Sequence, residues 1–353
     1  MKRPVSNSLS WTPIPLIWPP VPPADPPFLS SVTRNGATLV RVPLTDSGCG
    51  SEIWFELDWD ALETELTHPQ TKLLHWCNPH NPAGRCWSAD ELERICRLCV
   101  ANDVTILSDE VWGEMPLADL ESDTGEGRVP FVSTLQFLTP PTTATAAAAA
   151  TATAGTAAAT AAVTGKRRVD GASVEAEDAG IPDGIPGLRE RLIVLLSPSK
   201  CFNVASLDLA VAVVPAPSLR RKFRDVGSDS AEVTPFGYVA AEAAYGHVES
   251  EEWRQRLLHY LRANRDFAFD ELTRLPGVRA TRPEASYLMW LSMPDLGMDA
   301  AEFFEKHGVG LSGAVDFGGS RQCCRLNFGC TRQTLQRAVS RIATALETVD
   351  RES

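Results

Sequence analysis

Apolar and polar residues alternate along the chain in segments of two different periods. Ala37 to Leu44 (ATLVRVPL) reads as a strand and Asp58 to Leu66 as a short helix. Lys72 to Cys77 (KLLHWC) is an apolar strand that stops at the turn formers NPHNP. The next segment, SADELERICRLCVAND, places Leu92, Ile95, Cys96, Cys99 and Val100 at helical spacing. Ser88 stands at its N-cap with Glu91 three residues on, the pattern of a capping box. Val104 to Ser108 (VTILS) is another buried strand. Strand, helix and strand with short links predict a right-handed parallel βαβ unit. Leu192 to Ser197 (LIVLLS) and Leu209 to Val214 read as further strands, and Ser250 to Leu275 as a long amphipathic helix. Short strands at Tyr287 to Leu291 and Cys324 to Phe328 then alternate with helices at Ala300 to His307 and from Thr331 to about Val349. That tail predicts a smaller α+β domain.

Two stretches carry neither period. Residues 1–30 are dense in proline, which argues against a regular helix or a central strand there. Thr142 to Ala162 holds only Thr, Ala and one Gly, and acidic, Gly-bearing sequence follows. Such a stretch offers almost no side chain to anchor a core, so residues 139–188 are expected to be a disordered surface insertion. The predicted organisation is an irregular Pro-rich start (1–30), a large domain (31–249) that contains the insertion, and a long linking helix with a small C-terminal domain (250–353).

Composition narrows the function. The 353 residues suffice to bury a sizeable core. A net charge of −12 argues against a nucleic-acid or anionic-membrane partner, which would need clustered Lys and Arg. No apolar run reaches the roughly eighteen residues of a membrane-spanning helix, and the start lacks the order of a signal peptide. A cytoplasmic location is the expectation. The nine cysteines are irregularly spaced. Cys96 and Cys99 form a CxxC within a helix, without a second ligand pair, so free thiols are expected rather than a metal site.

Four polar landmarks each follow a buried strand or a turn: Asn81 in NPHNPAGR, Asp109 in LSDE, Lys200 in SPSK and Arg325 in CRLNFGC. In open parallel sheets, ligands bind beyond the carboxyl ends of the strands, so groups delivered there can converge. The order of these motifs resembles the class I/II aminotransferase superfamily of fold-type I pyridoxal-phosphate enzymes. Within it, the chain is most similar to the cystathionine β-lyase-like, cysteine-S-conjugate β-lyase branch, from about Pro26 to Leu346 apart from the insertion.

The resemblance implies an α/β fold, the type I PLP-dependent transferase fold. This is a mostly parallel central sheet flanked by helices, with a smaller C-terminal α+β domain. It implies pyridoxal 5′-phosphate as cofactor, a small amino-acid substrate and a homodimer. It also implies roles. Lys200 would hold the cofactor as a Schiff base and work on the substrate Cα. Asp109 would keep the pyridine nitrogen protonated. Asn81 would bond the phenolic oxygen, with Trp112 nearby at a position where the broader family has Tyr or His. Ser197 and Ser199 would hold the phosphate. Arg325 would clamp the substrate α-carboxylate in the two-pronged way that a guanidinium allows.

The sequence departs from the pattern in three further places. Fewer residues precede NPHNPAGR than in the branch, where that segment supplies a helix start for the phosphate and aromatic residues that reach the site across a dimer; a shortened N-terminal part is the expectation. Asp25 stands where the branch has a ring-stacking Tyr, and Asp208 stands eight residues after Lys200, where it has Arg or a neutral polar residue. Two readings stay open. One is a lyase that eliminates a thiol from Cβ to leave pyruvate and ammonia, with transamination as its in-class alternative. The other is a non-catalytic relative that keeps the fold and binds the cofactor weakly.

Overall fold

The computed structural model describes residues 15–18, 32, 35–117, 131–138, 184–227, 232–315 and 319–352. The strands are β1 (Pro15–Trp18), β2 (Thr38–Arg41), β3 (Leu44–Asp46), β4 (Glu52–Ile53), β5 (Phe55–Leu57), β6 (Leu73–Cys77), β7 (Thr105–Asp109), β8 (Leu192–Leu196), β9 (Val211–Val213), β10 (Arg279–Thr281), β11 (Leu288–Ser292), β12 (Ser312–Gly313) and β13 (Cys323–Asn327). The helices are α1 (Trp59–Thr67), α2 (Ala89–Ala101), α3 (Pro217–Gly227), α4 (Pro235–Gly246), α5 (Val248–Leu272), α6 (Ala300–Lys306) and α7 (Arg332–Glu352).

The predicted βαβ unit is present as β6–α2–β7, with β6 and β7 parallel. Helix α2 starts where its cap chemistry says it should. Ser88 Oγ accepts from Glu91 N at 3.2 Å, and Ser88 N donates to Glu91 Oε2 at 2.7 Å. Its inner stripe of Leu92, Ile95, Cys96 and Cys99 is buried against Leu74, Trp76, Ile106, Leu192 and Val194 of the sheet. Both CxxC thiols are therefore core groups, and burial pushes the Cys96 thiol up to about 12.

The main sheet has six strands in the order β2-β1-β6-β7-β8-β9, parallel except for the β8–β9 pair. This corrects the expectation that the Pro-rich start holds no central strand, because β1 lies between β2 and β6. Pro15 takes the first position, where a missing N–H costs least, and Leu16 to Trp18 keep their donors. The rest of the start, including Asp25, lies outside the described residues. So does the expected insertion from 139 to 183. Its last part is corrected by the structure: Ile185 and Leu188 are buried, and Gly184 N and Ile185 N donate to Leu138 O and Phe137 O.

A second sheet runs β12-β13-β11-β10-β4. The expected division between residues 249 and 250 is crossed here, because β4 pairs parallel with β10. Arg279 secures the junction, reaching Asp46 Oδ2 at 2.6 Å and Glu52 O at 2.9 Å. Helices α5, α6 and α7 bury Leu258, Leu261, Phe304, Leu335 and Ile342 against this sheet. Trp112, Met115 and Cys201, from loops of the first sheet, join the same core. The two units thus share a seam at the carboxyl edge of the main sheet. No helix of the described residues is long and apolar enough to cross a membrane.

Candidate active site

Adjacent parallel strands set the carboxyl edge. Cys77 of β6 is level with Asp109 of β7, which is level with Leu195 of β8. Asn81 follows the first of these by four residues and Lys200 follows the last by five, so the register delivers both to one edge with Asp109 between them. Both Asn–Pro bonds of the NPHNP turn are cis. Gly84 has φ +72, and a Cβ there would lie 2.5 Å from Pro283 Cβ, so only glycine lets the turn press against the chain leading into β11. Asn78 is buried, and its Nδ2 donates to Val132 O at 2.8 Å.

Asn81 and Arg325 meet across the seam. Arg325 Nη1 donates to Asn81 Oδ1 at 3.1 Å, and Nη2 to Ser312 Oγ at 3.4 Å. A guanidinium only donates, so this contact fixes the amide orientation and leaves Asn81 Nδ2 as the donor. Asp109 is buried at the end of β7, and its Oδ1 accepts from Val111 N at 3.2 Å. The neighbouring Glu110 serves the fold. Its carboxylate accepts from Ser108 Oγ (2.9 Å), Ser133 Oγ (2.5 Å), Thr134 N (2.9 Å) and Thr134 Oγ1 (2.7 Å). Burial raises its pKa, and those hydrogen bonds oppose the rise.

Lys200 is half-buried, with Nζ 5.6 Å from the centroid of the Trp112 ring. Among the described residues this amine has neither a hydrogen-bond nor an ion-pair partner. The Trp112 ring meets Tyr287 edge-to-face, with centroids 4.8 Å apart and planes at 81°. The lysine's turn is self-supporting. Ser197 Oγ donates to Leu209 O at 2.7 Å and accepts from Ser199 N at 3.1 Å. Ser199 Oγ lies 2.8 Å from Ser197 Oγ. Ser197 gives its one hydroxyl proton to Leu209 O, so the contact between the two hydroxyls uses the proton of Ser199, which turns to Ser197 and keeps its own oxygen as an acceptor. Asp208 is exposed and left-handed at φ +50, a conformation that Asp tolerates, so the local backbone accounts for it.

Behind the lysine, Cys201 Sγ lies 3.6 Å from Glu114 O and Tyr245 Oη donates to Glu114 Oε2 at 3.1 Å. Burial lifts the Glu114 carboxyl to about 7, opposed by the Tyr245 hydrogen bond and the Arg254 charge. The arginine of NPHNPAGR is structural. Arg85 lies between the Trp54 and Trp87 rings at 4.6 and 4.9 Å and bonds Glu91 at 2.9 Å.

Of the residues singled out in the sequence, Asn81 meets Arg325, Lys200 lies beside Trp112, and the strand register sets Asp109 between the strand ends that lead to Asn81 and Lys200. Tyr287, against Trp112, and Ser312, bonded to Arg325, also join these contacts and were not singled out in the sequence. Tyr287 could have been noticed as an aromatic residue between a polar turn and β11; Ser312, among small residues, gave no signal. The donor set fits a carbonyl-bearing pyridine cofactor: an amine free of ion pairs, an aromatic face beside it, and a buried carboxylate at a neighbouring strand end. The described residues contain no group of three or more His, Cys, Asp or Glu arranged to hold a metal ion.

The family model for Aminotransferase class I and II matches residues 23–342. Cystathionine beta-lyase PatB of Bacillus subtilis (strain 168) is 29% identical over 92% of this chain and 70% of its own length. The crystal structure of OvoB is 31% identical with a TM-score of 0.70, over 95% of this chain and 71% of that one. A PLP-bound putative aminotransferase from Clostridium difficile 630 is 25% identical with a TM-score of 0.69, over 96% and 73%.

Proposed function

Because the chain belongs to the aminotransferase class I and II family, we propose that it is a carbon–sulfur β-lyase acting on cysteine conjugates or cystathionine. Pyridoxal 5′-phosphate is its cofactor. The reading is carried by the meeting of Asn81 and Arg325 at 3.1 Å beside the strand ends that bear Asp109 and Lys200. Similarity to PatB, named as a cystathionine beta-lyase, supports the choice of reaction.

When bound, the cofactor supplies an electron-accepting ring for the pair left at Cα. Lys200 is the residue we assign to hold the cofactor's aldehyde and, once displaced by the substrate amine, to carry the Cα proton. Asp109 would keep the ring nitrogen protonated. Asn81 Nδ2, its amide oxygen bonded to Arg325, would donate to the phenolic oxygen. Ser199 would turn its hydroxyl from Ser197 to the phosphate, while Ser197 shapes the turn. Trp112 would lie beside the ring. Arg325, which bonds Asn81 and Ser312, is the residue we assign to the substrate α-carboxylate. A thiol leaving Cβ gives pyruvate and ammonia after hydrolysis.

We also assign a homodimer, seated on α3, α4 and the start of α5. Phe236, Tyr238, Val239, Val226 and Val248 are all well exposed there. Arg221, Lys222 and Arg224 lie to one side in sequence and Glu249, Glu251 and Glu252 to the other, and a two-fold contact can pair such groups reciprocally. All nine cysteines are thiols outside any disulfide, which fits a reducing compartment, and we assign the cytoplasm.

Borohydride reduction of the full chain with pyridoxal 5′-phosphate should label Lys200, as read by mass spectrometry. Pyruvate should then form from cystathionine with the wild type and not with Lys200→Ala. Labelling elsewhere, or nowhere, overturns the cofactor assignment. An amino group retained on the cofactor, with no pyruvate formed, replaces the lyase by an aminotransferase.

A further inference from the structure

Tyr287 is built into the crevice with its hydroxyl uncommitted. Its ring stands edge-to-face with Trp112 at 4.8 Å, and the Lys200 amine lies 5.6 Å from the same Trp112 ring. Gly329 makes room for it, because a Cβ at that position would lie 3.0 Å from Tyr287 Cγ and 3.2 Å from its Cβ. The backbone is pinned as well, with Phe328 N donating to Tyr287 O at 2.9 Å. Yet among the described residues the half-buried phenol has no hydrogen-bond partner for Oη. Burial raises its pKa while the Arg325 guanidinium, within electrostatic reach, opposes the rise. The group therefore stays an O–H donor at neutral pH.

Arg325 alone underserves a carboxylate. Its two terminal nitrogens already hold Asn81 Oδ1 and Ser312 Oγ. A carboxylate offers roughly four lone-pair sites, more than one partly committed guanidinium fills. We propose that Tyr287 is a substrate-binding residue: its phenol donates to the α-carboxylate of the amino acid held by Arg325, and its ring, set against Trp112, forms the wall beside the Lys200 amine. This assignment rests on the reading of the site as an amino-acid-binding pyridoxal-phosphate centre.

The test compares Tyr287→Phe with the wild type in the full chain loaded with pyridoxal 5′-phosphate. The probe is 2-methylalanine, which has no Cα proton to lose, read by the change in visible absorption. Its carboxamide is the control. Removing only the hydroxyl should weaken the carboxylate probe about tenfold, the equivalent of ~1.4 kcal/mol, and leave the carboxamide unaffected. With cystathionine, KM should rise while kcat holds, as for an interaction equal in ground and transition states. Tyr287→Leu, which also removes the wall, should weaken both probes. Equal loss of both probes in Tyr287→Phe, or no loss in either variant, overturns the assignment. Lys200 labelling separates the two levels. If it persists in Tyr287→Phe while probe binding is unchanged, the inference alone fails; if the wild type shows no label, the functional reading fails and the inference with it.

Discussion

Helix α2 and helix α4 are of similar length, and both carry apolar residues, but they spend them differently. α2 buries Leu92, Ile95, Cys96 and Cys99 completely against the main sheet. α4 buries only Gly237 and Ala244, and leaves Phe236 75% and Val239 65% exposed. Its neighbour α3 buries none of its residues. The difference shows where this chain completes its own core and where its surface is unfinished. A helix whose apolar stripe finds a sheet is stabilised by burial within the chain. One whose large apolar residues face solvent has no such return, and contiguous exposed patches of that kind mark interaction sites.

The largest effect should come from the finished helix. Leu92→Ala should cost about 2–5 kcal/mol, the range for opening a cavity in a packed core, measured by denaturant unfolding. A loss within ~0.5 kcal/mol, the size of a surface substitution, would erase the contrast with α4. Next comes the unfinished one. Phe236→Ser with Val239→Ser should leave monomer stability nearly unchanged but weaken self-association. Burying a Phe or Val side chain contributes about 1.5–3 kcal/mol each, so the dimer dissociation constant should rise roughly 100-fold or more. Sedimentation equilibrium that shows an unchanged constant would move the second copy off this face.

A polar α4 side chain also reaches inward, and it offers a pH test. Tyr245 donates to Glu114, whose carboxyl is lifted to about 7 by burial. In the unfolded chain that carboxyl ionises near its ordinary value of about 4.3. Between those values the folded state binds more protons than the unfolded state, so stability falls as pH rises. Glu114→Gln keeps an acceptor for Tyr245 and removes the titration. It should gain about 1–3 kcal/mol over the wild type at pH 8 and lose that advantage towards pH 4. A pH-independent difference in melting would show that Glu114 is not buried in this way.

The smallest effect should be equal on both helices. Ser88 caps α2, and Thr234 caps α4 by accepting from Gly237 N at 3.1 Å. Capping is local, so Ser88→Ala and Thr234→Ala should each cost about 1 kcal/mol, whatever the helix packs against. A much larger loss for Ser88→Ala would mean that the reciprocal Glu91 bond, and the Arg85 ion pair behind it, act through the core as well.

The sequence by itself determined the features set by near neighbours along the chain. The period of α2, its capping box, the strands around it and the turn residues at their ends all lie within a few residues of the groups they bond. The candidates Asn81, Asp109, Trp112, Lys200 and Arg325 were legible because they lie in, at the end of, or a few residues past such elements, Asp109 closing β7 and Arg325 standing within β13, and because their order resembles a known family. Local rules also misread two places. The density of proline hid β1, whose three proline-free residues suffice to join the sheet, and low complexity hid the packed residues Ile185 and Leu188. What only the tertiary structure decided is which distant groups touch. Arg325 bonds Asn81 across 244 positions, β4 pairs with β10, and Tyr287 finds Trp112 and the space that Gly329 leaves. The same holds for residues that resemble site groups yet serve the fold, namely Arg85 between two indoles, Glu110 with its four donors and Ser197 closing its turn. Helical and strand periods record burial one segment at a time, whereas these contacts depend on how separate segments are brought together by the packing of two cores at one seam.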